Sequence, residues 1–204
     1  MVMKRVVAYF IDIVLITFAS SMLASISYLN PQLDNYNKVY DEYLKFYDDY
    51  KSEVSNIKTE EVLKKYTNQL NDINYRLDRN NLYGATYSII LTIIYFVVFQ
   101  KYNGGQTLGK KIMKIKVSDN LSLFKYLIRT LILHNVLINT LKVALLLIIS
   151  KENYILINSV LYILALLIET TIIIMVSMRS DNRGLHDIIV GSKVVSIPQY
   201  LKEV

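Results

Sequence analysis

The sequence predicts an all-α membrane protein: a four-transmembrane-helix bundle with an extracytoplasmic helical hairpin and a small cytoplasmic two-stranded β element. Three observations predict it. The 204-residue chain is 53% hydrophobic, above the roughly 45–50% of a soluble domain. The excess is gathered into four runs, near 6–29, 82–100, 124–149 and 154–178, each long enough for a helix to cross a bilayer. Between the first two runs, residues 31–81 become polar and rich in tyrosine.

The first span, within residues 1–30, opens on Lys4 and Arg5 and carries one carboxylate, Asp12, inside its apolar run. On a helix Arg5 and Asp12 are about 10.5 Å apart and nearly on one face. A carboxylate in a spanning segment costs roughly 2.5–3.5 kcal/mol on insertion scales, so it needs a partner or a task. It also argues against a cleaved leader, whose apolar region carries no charge.

Residues 31–81 read as a helical hairpin. Leu33, Tyr36, Tyr40, Tyr43, Tyr47, Tyr50, Val54 and Ile57 follow the alternating three-four rhythm of a helix with one apolar seam. Leu63, Tyr66, Leu70, Ile73 and Leu77 repeat it. Thr59-Glu60-Glu61 is a helix start, with a cap followed by carboxylates, so the turn is expected near 56–59. The two seams are expected to bury each other, Tyr40, Tyr43, Tyr47 and Tyr50 facing Leu63, Tyr66, Leu70 and Ile73.

Residues 82–197 form the rest of the membrane unit, followed by a tail at 198–204. The second span is uncharged in its centre. A basic loop follows, in which Lys110, Lys111 and Lys114 are expected to face lipid headgroups. The third span is the most polar, with Arg129, His134, Asn135, Asn139 and Lys142. The fourth holds Asn158 and Glu169. Four spans put both termini on one side. The positive-inside rule makes that side cytoplasmic, in the cell membrane, and leaves the hairpin outside. The net charge of +6 lies beside the apolar runs, so anionic lipid is the expected partner and nucleic acid is not.

Two β-prone stretches flank this core. Ile112-Met113-Lys114-Ile115-Lys116-Val117 alternates apolar and basic residues before a turn signal at Ser118-Asp119-Asn120. Ser192-Lys193-Val194-Val195-Ser196-Ile197 is ended by Pro198. The two are expected to pair.

Little in the chain points to an enzyme. Cysteine is absent and only His134 and His186 are available, so no metal cluster, no cofactor site and no nucleophile–base pair is legible. Gly104-Gly105-Gln106-Thr107-Leu108-Gly109-Lys110-Lys111 has the G-x-x-x-x-G-K spacing of a phosphate loop. However, Lys111 stands where a hydroxyl should hold magnesium, and an apolar span precedes it where a buried strand is needed. The simpler reading is a tight glycine turn at the membrane surface.

Three elements together resemble the RDD family of bacterial membrane proteins: the Arg5…Asp12 start, the Gly-Gly-Gln-Thr-Leu-Gly-Lys-Lys loop, and Arg183-Gly184-Leu185-His186-Asp187 with Gly191, Val194 and Val195. The family is named for one arginine and two aspartates, which match Arg5, Asp12 and Asp187 here. The resemblance covers about 1–30 and 82–197, and the hairpin lies outside it. It implies transport, including the sodium–proton exchange proposed for some members.

The residues themselves point the same way. Asn135, Asn139 and Lys142 share one face of the third span. Asn158, Tyr162, Ala165 and Glu169 share one face of the fourth. With Asp12 and His134 these could line a path for a monovalent cation and a proton, or join the helices as hydrogen-bonding glue. Arg5 is expected to pair with Asp187 as a structural ion pair, leaving Asp12 for Arg129 or His134. The leading function is a small transporter or exchanger, assembled from more than one copy. The competing one is a scaffold, accessory or protective protein whose outer hairpin binds a protein partner.

Overall fold

A computed structural model describes residues 1–53, 60–118 and 121–197. The expected hairpin turn near 56–59, with its Val54, Ile57 and Thr59 signals, lies outside the described residues. So do Asp119 and Asn120 of the expected turn, and Pro198 with the tail.

The first apolar run forms α1 (Val2–Ala24), a helix of 23 residues, about 35 Å long. The side chain of buried Asn30 ends it, donating Nδ2 to the Ala24 carbonyl at 2.8 Å. The polar stretch gives α2 (Leu33–Glu53) and α3 (Glu60–Asn80). The second run is α4 (Leu82–Tyr102), within which Ile94–Phe99 is wound as a π-helix. A short α5 (Leu108–Ile112) and the strand β1 (Ile115–Val117) follow.

The third run does not form one straight helix. It breaks into α6 (Leu123–Leu133) and α7 (Val136–Ile148), bent by 71° at His134 and Asn135. Asn135 stands at φ 49°, in the left-handed region, which a helix cannot continue through. The last elements are α8 (Lys151–Met178), α9 (Leu185–Val190) and β2 (Val194–Ser196). Among the described residues three helices, α1, α4 and α8, are long and apolar enough to cross a membrane. A fourth crossing exists if the bent α6–α7 pair is one span.

The two β-prone stretches do pair. β1 runs antiparallel to β2, with Ile115 opposite Ser196 and Val117 opposite Val194. Ile115, Val117 and Val194 turn inward and join Ala8, Val97, Leu121, Tyr126 and Val190 in the main buried core. The sheet thus closes the end of the helical array where α1 begins and α4 ends.

At the other end α2 packs on α3. Arg76 donates to both Glu42 oxygens at 2.8 and 2.6 Å, and the Phe46 and Tyr50 rings meet Tyr66. Contacts advance along α2 as they retreat along α3, so the pair is antiparallel. The seam differs from the expected one. Tyr40, Tyr47 and Leu63 are about half exposed, at 44%, 52% and 51%. Val39 and Phe46 turn inward instead, with Tyr36, Tyr43 and Tyr50. Both phases satisfy the three-four rhythm, and the one that buries side chains without a hydroxyl wins. The hairpin is seated on α8: Lys151 pairs with Asp72, Tyr154 donates to Asp78 at 2.9 Å, and Tyr75 meets the Tyr154 ring edge-on.

Candidate functional site

The glycine loop packs against the first helix. It folds back between α1 and α4 and ends on Asp12. Tyr95 and Thr107 donate hydroxyls to Asp12 Oδ1 and Oδ2 at 2.6 and 2.5 Å, and the Gly109 amide donates to Oδ1 at 2.8 Å. The Leu108 amide in turn donates to the Tyr95 hydroxyl at 2.8 Å. Asp12 is 1% exposed, so these donors replace water. A side chain at position 109 has no room, because a Cβ there would stand 2.2 Å from the Ala8 carbonyl oxygen. Gly105 (φ +82°) closes the other end of the loop, its carbonyl accepting from Val117 of β1 at 3.1 Å.

This arrangement changes two expectations. Asp12 does not meet Arg129 or His134 and is held by the loop. Lys110 does not face headgroups: it is buried, 7% exposed, while Lys111 and Lys114 are exposed. The cause is the close approach at Gly109, which turns the next residue inward. The Lys110 ammonium makes only long contacts, 3.4 Å to Thr107 and 3.5 Å to Gln100, and lies 5.5 Å from the Phe96 ring centre. Burial, reinforced by Arg129, pushes its pKa down to about 7.

The second aspartate is equally enclosed. Asp187 Oδ2 accepts from Arg5 at 2.6 Å, and Oδ1 accepts from Arg129 at 3.1 Å and from the Ser192 hydroxyl at 3.1 Å. Arg5 also donates to the Asn182 carbonyl. One carboxylate therefore ties α1, α6 and the start of α9 together. Burial alone would raise its pKa, but Arg129, His186 and Arg5 outweigh it and hold Asp187 below the usual carboxylate range. Burial lowers His186 to about 4.

A third group forms at the break in the third run. Asn135 Nδ2 donates to Glu169 Oε1 at 2.7 Å. Both His134 ring nitrogens and Asn135 Oδ1 are buried without a hydrogen-bond partner. The His134 ring lies between Tyr9 and Phe96, at 5.4 and 3.8 Å. Beside this group is a cavity of about 400 Å³, lined on α1 by Arg5, Tyr9 and Asp12, on α6 by Arg129 and on α8 by Glu169 and Val176. A second cavity, of about 470 Å³, lies near the hairpin and includes Asn139, Lys142 and Asn158 in its walls.

A family model of the RDD family matches residues 1–191. The chain belongs to the RDD family. No curated protein and no solved structure matches it. The matched range encloses the hairpin as well as the Arg5…Asp12 start, the glycine loop and the stretch from Arg183 to Gly191.

The structure thus separates the expected path residues. His134, Asn135 and Glu169 stand together at the break, Asp12 sits on α1 across the 400 Å³ cavity, and Asn139 opens on the 470 Å³ cavity near the hairpin. Arg5 and Asp187 are in contact. Sequence reasoning did not connect Tyr95, Thr107 and Gly109 with Asp12, which they anchor. Thr107 did carry a signal, since a hydroxyl before a short apolar-basic helix is a capping residue, and its side chain accepts from the Lys110 amide at 3.3 Å. Among the described residues no three His, Asp or Glu side chains converge to hold a metal ion.

Proposed function

We propose that this RDD protein is a small exchanger of the cell membrane that couples a monovalent cation to a proton. It crosses the bilayer four times, with the bent α6–α7 pair as one crossing. Both termini and the β-sheet are cytoplasmic, the hairpin is outside, and more than one copy assembles. The reading is non-enzymatic.

The observation that carries it is the break at His134 and Asn135 opposite Glu169. An interrupted helix leaves backbone groups without intrahelical partners at membrane depth, which is tolerated where they line a cavity. Such breaks commonly build ion sites in transporters. Here the break adds a carboxylate and three unpartnered side-chain atoms, between one cavity on each side. Glu169 is the group that carries the proton or cation, and Asn135 orients it. Asp12, held by three donors, positions the loop.

The test is flux in proteoliposomes containing a pH-sensitive dye, under Na⁺, K⁺ or Li⁺ gradients. Cation-dependent proton movement is expected, and Glu169→Gln is expected to abolish it without loss of folded protein. Wild-type flux no greater than that of empty liposomes overturns the reading.

A second reading rests on the exposed ridge of Tyr40, Leu44 and Tyr47 on α2, beside Leu63 on α3. Such a half-wet aromatic face suits a protein partner, and it supports an accessory or protective role. Deleting 33–78 separates the two: an exchanger keeps its flux, whereas a scaffold loses its partner and has no flux to keep.

A further inference from the structure

The outer cavity contains two opposite charges that do not meet. Asp78 comes from the last turn of α3, and Lys142 comes from α7. Both line the same 470 Å³ space, with Ser88, Asn139 and Asn158 around them. That volume is within the ~300–1,000 Å³ of small-molecule sites. Asp78 Oδ2 accepts from the Tyr154 hydroxyl at 2.9 Å. Among the described residues nothing donates to its other oxygen. Among the described residues Lys142 forms no ion pair: its charge acts on Asp78 from beyond salt-bridge distance, and its ammonium rests 5.7 Å from the Tyr162 ring centre. Asn158 Oδ1 is buried without a partner.

These groups constrain what can enter. A lone cation that meets Asp78 is repelled by Lys142. A lone anion that meets Lys142 is repelled by Asp78. Either one leaves a charge uncompensated in a partly desolvated site. A molecule with an ammonium and a carboxylate a few ångströms apart satisfies both walls at once. Its ammonium has three donors, which match the free Asp78 oxygen and the Asn158 carbonyl. Its carboxylate accepts from Lys142 and from the Asn139 amide. The uncharged remainder faces Ala24, Ala85 and Ile89.

We propose that the cavity between the hairpin and the helices is a binding site for a small zwitterion of the α-amino acid class, held between Asp78 and Lys142. The hairpin supplies the one carboxylate in this cavity lining, so recognition depends on the segment that the sequence motifs of the family leave aside. The site is independent of exchange: it requires binding, and no ion need move.

Detergent-purified full-length protein is heated with glycine, alanine, serine or leucine, and with acetate or methylammonium as single-charge controls. At least one amino acid is expected to raise Tm in a dose-dependent way, as a ligand that binds only the folded state does. The two controls at equal concentration are expected not to. Lys142→Gln, which leaves the Tyr154–Asp78 bond in place, is expected to weaken the effect roughly tenfold or more, as for loss of a hydrogen bond to a charged group. Asp78→Asn is expected to do the same. Three results overturn the proposal: no shift with any amino acid, an equal shift with methylammonium alone, or a rise that survives both substitutions and is therefore a co-solvent effect. Failure of the flux assay leaves this result unaffected.

Discussion

Thr107 donates its hydroxyl to Asp12 Oδ2 at 2.5 Å, joining a loop that follows the second membrane helix to the middle of the first. Hydrogen bonds to a charged group are worth about 1.5–3 kcal/mol each, and Asp12 receives three from the protein. Asp12→Ala should therefore lower Tm more than Thr107→Val, and Asp12→Asn should fall between wild type and Asp12→Ala. Thermal unfolding in detergent ranks them. An Asp12→Asn protein with wild-type Tm and no flux would return Asp12 to the ion path.

Gly109→Ala introduces a Cβ 2.2 Å from the Ala8 carbonyl oxygen. Backbone atoms cannot step aside, so the loop must leave α1. The expected cost is at the upper end of the ~1–3 kcal/mol of overpacking or beyond it, read as loss of folded yield. Gly104→Ala is the contrast. Nothing lies within 4 Å of its Cβ, and the strain is that of a positive φ of 63°, about 1–2 kcal/mol. Equal losses from the two would mean that close approach is not what position 109 requires.

Asp187→Asn leaves Arg5 and Arg129 facing each other without a counter-charge. Breaking a buried pair in this way costs about 3–5 kcal/mol. Removing one arginine as well should restore part of the loss, because the uncompensated charge falls. Folded yields of D187N and of R5M/D187N measure this. A double variant less stable than D187N by the full effect of R5M alone would show that the two sites do not interact.

Lys110 supplies a pH signature. Its ordinary value is 10.5, and burial followed by Arg129 lowers it to about 7 in the folded protein. Between those values the unfolded chain binds more protons, so stability rises with pH from about 7 towards 10.5. Below about 7 both states are protonated and the penalty is constant. Lys110→Met should flatten Tm across that window and raise it at neutral pH. A wild-type profile parallel to that of Lys110→Met would show a Lys110 that is not desolvated.

Asn135 sits at φ 49°, which asparagine and glycine tolerate and β-branched residues do not. Asn135→Gly should cost the hydrogen bond to Glu169, about 1.5–3 kcal/mol of stability, whereas Asn135→Val should lose roughly 1–2 kcal/mol more. Both remove the bond to Glu169. If that bond orients the ion-carrying carboxylate, flux falls equally in both while stability falls further in Asn135→Val.

Long apolar runs made α1, α4 and α8 legible, because a segment of that length with so few charges has few other places to fold. The β pair was legible from alternation and β-branching at Ile115, Val117, Val194 and Val195. The bend in the third run was not. His134 and Asn135 have middling helix propensity, and neither is a helix breaker by composition. Only the tolerance of asparagine for positive φ hinted at a stop. The burial of Lys110 was invisible for a different reason. Two adjacent lysines in a glycine loop look alike in sequence, and which one turns inward depends on where the loop lands. Asp12 was visible as an anomaly in its span, but its partners lie 83 to 97 residues away. The hairpin seam was ambiguous because Val39/Phe46 and Tyr40/Tyr47 both fit the same rhythm.

The contact between Arg5 and Asp187 spans 182 positions of the chain. At ~5–20 residues per second of synthesis, roughly 10–35 s separate the appearance of the two partners. Throughout that interval the first helix is already made while its counter-charge does not yet exist. Asp12 waits about half as long for Gly109, 97 positions on. The tie between α1 and α9 can therefore form only after α1, α4 and α8 have all been made. A ribosome stalled before residue 187 would hold every spanning helix and still lack the bolt that closes the assembly.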